Sequence, residues 1–339
     1  MWASGNQTAL GSLKRSTLRL RCVASHVDRH HRQLTAQAAA GTDSVARRLP
    51  TVLLHDPAFA LHVNGGPNHP EKPDRFKHCL ASLQAAFPDE RAGPVRWVSE
   101  CPRVTVDQIT AVHTEQYAFF LREALDRAVD ENRVLMFDGD TAAGPGTREA
   151  VLRGAGGVCA AVDAVCAATG STADAAANAF CLVRPPGHHA ESDSAMGFCF
   201  LNNVMIGAAH AIDTHPSIHR VAIFDFDVHH GNGTAAQATA RGHRHGGDYH
   251  DVLYLSTHQH PFYPGTGVPV SYKPGGACGV VNVGLQQGDG GDAFRAAVEG
   301  ELAACSLRLR HTHVASQTGR LLGAHTTCCS RAQRQSGRR

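Results

Sequence analysis

The chain reads as an α/β protein, a three-layer αβα domain around a mainly parallel sheet, and three observations predict it. Short runs such as 51–54, 179–183 and 221–227 are apolar almost throughout. Helical stretches alternate with them, and Gly, Pro or Asn closes most of them. Strands that are apolar on both faces belong to sheets covered on both sides, and strand–helix alternation gives parallel pairing. In chain order, 51–54 is the first expected strand, followed by a Pro- and Gly-rich loop through Pro73 and a helix over 74–87. Helical periodicity then marks 115–129 and 148–168, the second rich in Ala and suited to close packing on a sheet. Strands follow at 179–183, 221–227 and 251–256, with a helix at 203–212 and a helix-like stretch at 293–309.

The chemistry concentrates in V-A-I-F-D-F-D-V-H-H-G-N-G-T, residues 221–234. Read as a strand, it sets Asp225, Asp227 and His229 on one face and Phe224, Phe226 and Val228 on the other. Carboxylates taken out of water without a partner cost several kcal/mol each, so a divalent cation such as zinc is the expected partner. A structural cluster of mutually satisfied polar groups is the other reading. In R-P-P-G-H-H-A, residues 184–190, two prolines and a glycine end the strand at 179–183 and leave His188 and His189 on a turn. The carboxyl edge of such a sheet is where ligands bind, and a neutral imidazole there can take a proton from water and return it to a leaving amine.

These two segments, with M-G-F-C-F-L-N-N at 196–203 and S-T-H-Q-H-P-F-Y-P-G-T-G at 256–267, resemble the zinc-dependent histone deacetylase family. The nearer match is to its class II branch and to the acetylpolyamine amidohydrolases. H-P-E-K-P-D-R, residues 69–75, resembles an early loop motif of the same family, and the similarity runs from about Val52 to about Glu301. The resemblance implies an arginase/deacetylase-like fold and hydrolysis of an acyl-amide bond in an acetyl-lysine protein or an acetylpolyamine. It makes Asp227 and His229 ligands of Zn2+ and His189 the general base and acid. It makes His188 a second active-site histidine oriented by Asp225, with Asn232 supporting His189. It also implies a structural K+ held around Asp225, Asp227, His229, Ser256 and Thr257, and an acyl-lysine tunnel walled by Gly197, Phe198 and Tyr263. For the two aromatics, ordinary core packing is the alternative. Either Asp138 or Asp140 falls where the family holds the substrate backbone, and either also suits the start of a helix.

The departures are as informative. The family takes a third zinc ligand from an aspartate on a later strand, and this chain has no aspartate after Asp292. The family stabilises its oxyanion with a late tyrosine in a Gly-Gly-Tyr loop, and no tyrosine follows Tyr272. From Leu302 to Arg339 there are seven arginines and no acidic residue. The sequence therefore divides into a basic extension at 1–49, a deacetylase-like domain at 50–307 that is incomplete at its C-terminus, and an unrelated basic tail at 308–339 without regular structure. His311, His313, Cys328 and Cys329 in that tail match no metal-binding spacing.

Composition bounds the rest. With 42% hydrophobic and 18% charged residues the chain can bury a sizeable core, and a net charge of +2 leaves its central part without the basic stripe of a nucleic-acid binder. Eleven cysteines without paired spacing suit free thiols in a reducing compartment. Residues 1–50 carry eight Lys or Arg against Asp28 and Asp43, with no apolar run long enough for a membrane span. That composition suits a mitochondrial or plastid transit peptide, or a basic extension of a cytoplasmic or nuclear protein. Two further readings are a non-catalytic pseudoenzyme and an arginase-like ureohydrolase. The second wants Asp-x-His-x-Asp, whereas here Gly231 stands where the bridging carboxylate belongs.

Overall fold

The computed structural model describes residues 49–66, 68–88, 94–167, 176–242, 251–270, 279–302, 313–318 and 326–331. In chain order, β1 (Thr51–Leu54), α1 (Pro73–Ala86), β2 (Val95–Val98), α2 (Val106–Thr110), α3 (Glu115–Asp130), β3 (Leu135–Met136), β4 (Ala142–Ala143) and α4 (Thr147–Cys166) come first. They are followed by β5 (Asn178–Leu182), α5 (Asn203–Thr214), β6 (Val221–Asp225), α6 (Asn232–Arg241), β7 (Val252–Gln259), β8 (Val280–Leu285), α7 (Gly291–Ala297), β9 (His313–Thr318) and β10 (Thr326–Arg331). The main sheet has the order β2-β1-β5-β10-β9-β6-β7-β8, and β3 and β4 form a small antiparallel pair. All neighbours in the main sheet are parallel except those of β10.

Alternation along the strands explains why they are apolar throughout. On β6, Val221 and Ile223 join the core that contains residues of α4 and α5, while Ala222 and Phe224 pack with Val281 in a separate cluster. On β7, Val252 and Tyr254 go to the first core and Leu253 and Leu255 to the second. Both faces of this part of the sheet are therefore buried, as the sequence predicts. A third cluster, with Tyr117, Leu121 and Phe200, fixes α3 against the loop that precedes α5. Three α-helix starts among the described residues are capped by side chains: Thr105 and Gln108 form a reciprocal capping box, Thr114 accepts from the Tyr117 N–H at the start of α3, and Asn202 accepts from the Met205 N–H at the start of α5.

Two sequence expectations change. The strand expected to run to Asp227 ends at Asp225, so Asp227 and His229 lie beyond β6 rather than on its face. Further on, β9 and β10 lie in the segment that the sequence assigns to a separate tail, and they occupy the sheet between β5 and β6. There β9 runs parallel to β6 and β10 antiparallel to β5, which gives both inner strands the backbone partners that a buried edge requires. The basic N-terminal extension, apart from Leu49, lies outside the described residues. Among the described residues no helix is long and apolar enough to cross a membrane.

His113, in the turn between α2 and α3, gives this packing a pH dependence. It is 2% exposed, and its Nε2 accepts the Asn202 N–H at 3.0 Å. Burial lowers its pKa from 6.5 to about 4. Between these values the unfolded chain binds a proton that the folded chain does not, so stability is complete above pH 6.5 and declines as pH falls toward 4. The span corresponds to about 3 kcal/mol. The melting temperature of the protein is expected to fall across this window, and less steeply in His113→Gln; parallel pH profiles for the two would contradict the assignment.

Candidate active site

Loops that follow β5, β6 and β7 meet at the site. The loop after β6 is built from consecutive carboxylate turns: Asp225 Oδ1 accepts the Asp227 N–H at 3.1 Å, and Asp227 Oδ1 accepts the His229 N–H at 2.8 Å. These bonds, and not strand alternation, bring the three residues together. The loop after β5 carries His188 and His189, and Met196 to Phe198 form a tight turn beside them. Gly197 has φ +56°, and a Cβ there would lie 2.6 Å from the His189 ring, so only glycine permits the approach. Phe198 follows in a left-handed conformation, φ +71°, and its N–H donates to Thr141 Oγ1 at 2.9 Å. For a bulky residue this conformation is strained, and it is held by its surroundings.

The two histidines are held differently. His188 Nδ1 lies 3.0 Å from Asp225 Oδ2, and its Nε2 lies 4.0 Å from Asp227 Oδ2. Burial alone would lower the His188 pKa, but the charges of Asp225 and Asp227 and the Asp225 hydrogen bond raise it. His189 Nδ1 instead lies 2.8 Å from Asn232 Oδ1, a neutral acceptor. Burial, and then the neighbouring His188 charge, holds His189 well below the usual imidazole range. Since Asn232 Oδ1 can only accept, the His189 proton sits on Nδ1, and Nε2 carries a free lone pair. The Asn232 amide is oriented in turn by Glu191 Oε1 at 2.6 Å.

A cavity of about 290 Å³ opens over these groups, lined among others by Asp140, His189, Phe198, Asp227, His229 and Tyr263. Gly197 and His188 also line it. The Tyr263 ring meets the His189 ring edge-on at 5.2 Å. Phe198 and Tyr263 are thus wall residues and not members of the apolar core clusters. Of the two loop carboxylates, Asp140 lines the cavity, while Asp138 is used by the turn, accepting from the N–H groups of Asp140 and Thr141.

Asp227 and His229 suit a divalent cation as two of its ligands. Asp227 Oδ1 and His229 Nδ1 lie 3.1 Å apart, both beside the cavity. A hydrolytic zinc site uses about three protein ligands. Among the described residues no third His, Cys, Asp or Glu completes this set, and the one such trio lies elsewhere, at Asp163, His210 and His215. The fit is therefore partial. Ser256 is buried and stands opposite Asp225 in the β6–β7 register, and Thr257 is buried beside it with its Oγ1 lacking a hydrogen-bond partner.

Several residues of the site were not singled out from the sequence, although Phe262, Arg75 and Pro70 lie within its motifs. Tyr254, in the middle of β7, donates to Asp225 Oδ2 at 2.9 Å and accepts the Gly231 N–H at 3.1 Å. Phe262 stacks on His229 with ring centroids 5.1 Å apart. Arg75 and Pro70, in the 69–75 motif, reach the cavity wall. Behind them Glu71 and Arg184 form a buried two-pronged ion pair of 2.5 and 2.7 Å, which ties that motif to the strand end bearing His188.

Comparison with known proteins identifies the family. Residues 69–319 match the histone deacetylase domain. Histone deacetylase 14, chloroplastic, from Arabidopsis thaliana is 36% identical over 247 residues, covering 72% of this chain and 56% of its own length. A probable deacetylase from Archaeoglobus fulgidus is 32% identical over 238 residues, covering 69% of this chain and 58% of its own length. The crystal structure of the HDA15 HD domain superposes with a TM-score of 0.61 and 31% identity, over 76% of this chain and 71% of that one. The chain thus spans little more than half the length of the curated relatives it matches. With the domain match, these identities and the shared fold in agreement, the chain belongs to the histone deacetylase family.

Proposed function

We propose that the site is built to hydrolyse the acyl-amide bond of an acetyl-lysine protein or an acetylpolyamine, and that the chain as it stands performs this reaction poorly. The observation that carries the reading is the asymmetry of the histidine pair. His189, tied to Asn232 and held well below the usual imidazole range by burial, presents the Nε2 lone pair to the cavity, while the pKa of His188 beside it is raised by the charges of Asp225 and Asp227 against its burial. In that arrangement His189 takes a proton from water as its oxygen attacks the acyl carbon and returns it to the leaving nitrogen, and a proton on His188 would favour the developing oxyanion. Phe198 and Tyr263 hold the alkyl chain of the substrate, and Asp140 accepts from its backbone amides.

Zinc held by Asp227 and His229 would polarise the acyl carbonyl and acidify a water molecule there. The buried Asp225, with Ser256 and the backbone about Asp227, His229 and Thr257, is the proposed K+ site, which would steady the Asp225 loop. The lower activity follows from two absences in the sequence: no aspartate after Asp292 to act as third ligand, and no tyrosine after Tyr272 to face the oxyanion. The residues after 319, where the domain match ends, are accordingly proposed not to be the family's own C-terminal segment, and the antiparallel β10 in an otherwise parallel sheet fits that view. The basic extension at 1–49 is proposed as a plastid transit peptide, in line with the chloroplastic relative.

The test is hydrolysis of an acetyl-lysine peptide and of an acetylated polyamine by the zinc-supplemented protein. A rate at least about 10²-fold below that of a relative with the late tyrosine is expected, as for loss of an oxyanion donor. Loss of the remaining activity in His189→Ala is expected as well. Turnover as fast as the relative's would contradict the role given to the two missing residues.

A further inference from the structure

Away from the active site, α4 and the end of α5 hold a second cluster of metal-binding side chains. His210 in the last turn of α5 and His215 just past its end both direct Nε2 to the same oxygen, Asp163 Oδ1, at 2.8 Å each. The His215 backbone is fixed on both sides, since its N–H donates to Ala211 O at 3.2 Å and its carbonyl accepts from Ile218 N at 2.8 Å. The side chains of His210 and His215 are 10% and 24% exposed, whereas that of Asp163 is 54% exposed. The histidines are thus anchored in the packing between helices, and the carboxylate leaves the cluster open to water.

We propose that Asp163, His210 and His215 form a second divalent transition-metal site, separate from the active site and of the zinc class. One ligand atom from each of the three lies within 4.8 Å of the others. Zinc bonds of about 2.1 Å place tetrahedral ligands about 3.4 Å apart, so a small opening of the cluster admits the ion, and water takes the fourth position. Two imidazoles and one carboxylate are the borderline-soft set that selects such metals over magnesium or calcium.

Gln108 sets the cost of binding. Its Oε1 accepts the Thr105 N–H at 2.9 Å, which turns its amide nitrogen toward His210 Nδ1 at 3.2 Å. That amide donates, so in the empty cluster the His210 proton sits on Nε2 and is given to Asp163. A metal on Nε2 displaces this proton to Nδ1, where Gln108 must turn or be replaced by an acceptor. Glu at this position accepts from both Thr105 N–H and His210 Nδ1–H and keeps the capping box intact.

The experiment is zinc binding to the metal-stripped full chain by calorimetry, with bound zinc counted after dialysis. His215→Gln and Asp163→Asn are each expected to bind one zinc equivalent fewer than the unchanged protein, at unchanged metal-free melting temperature. Gln108→Glu is expected to bind that equivalent about tenfold more tightly. Counting by difference makes the result independent of any ion held by Asp227 and His229. Equal stoichiometry in the unchanged protein and His215→Gln would overturn the proposal and leave the cluster a helix-joining ion pair. Unchanged affinity in Gln108→Glu would overturn the assignment of His210 Nε2 as a ligand.

Discussion

An Arg184→Met variant is expected to lose about 3–5 kcal/mol of stability, a large share of the whole. Arg184 is 2% exposed and Glu71 1%, and they meet through two hydrogen bonds, with Arg184 Nη1 also donating to Phe59 O at 2.5 Å and His62 O at 3.1 Å. Removing one member leaves a buried carboxylate without compensation, which costs about 3–5 kcal/mol. Whole domains are stable by only about 5–15 kcal/mol. Burial alone would raise the Glu71 pKa, but the hydrogen bond and charge of His62, and those of Arg184, hold it well below the usual carboxylate range. His62 is itself lowered by burial, so near neutral pH the compensating positive charge is that of Arg184. The stabilisation is therefore present above the ordinary carboxylate pKa of 4.5 and is lost as pH falls far below it. Urea unfolding measures the effect, and the double variant Arg184→Met, Glu71→Leu is expected to recover part of it. A loss below about 1 kcal/mol in the single variant would show that the pair is dispensable.

The second large effect is a gain. A chimera in which residues 308–339 are exchanged for the matching C-terminal segment of a deacetylase relative is expected to hydrolyse acetyl-lysine at least about 10²–10³ times faster, the worth of one oxyanion donor. Completion of the zinc ligand set adds to that figure and lowers the zinc concentration needed. In the same chimera His189→Ala is expected to lose about 10²–10⁴ of the rate, as removal of a general base does. His188→Ala should reduce the rate by a different route, through the lost imidazole beside Asp225. If the chimera folds, as shown by a cooperative melt, and is no faster than the original chain, then the site itself and not its C-terminal portion is defective. Retention of full chimera activity in His189→Ala would remove His189 from the proton-transfer role.

Much of this was legible in the sequence for identifiable reasons. The strands β1, β5, β6 and β7 and the helices α1, α3, α4 and α5 were expected within a few residues, because two buried faces demand apolar runs and Pro or Gly ends them. The short β2 was missed, since V-R-W-V carries an arginine and is only half-buried. β8 was missed because its apolar run is short and follows a Gly-rich segment. Asp225, Asp227 and His229 do converge, but the physical reason given by alternation along a strand does not hold, since two carboxylate turns do the work after the strand has ended at Asp225.

By itself the sequence determined the fold class, the family resemblance and the residues of the two histidine motifs, because period, chain breakers and chemistry-bearing side chains are local properties of the chain. It also shows no aspartate after Asp292 and no tyrosine after Tyr272, which are matters of composition. Only the tertiary structure decided in which direction each histidine is shifted, that Asp140 and not Asp138 reaches the cavity, and that Tyr254 and the Glu71–Arg184 pair support the site. Those outcomes depend on burial and on partners between 29 and 113 residues away in sequence, and such contacts arise from packing and leave no periodic trace.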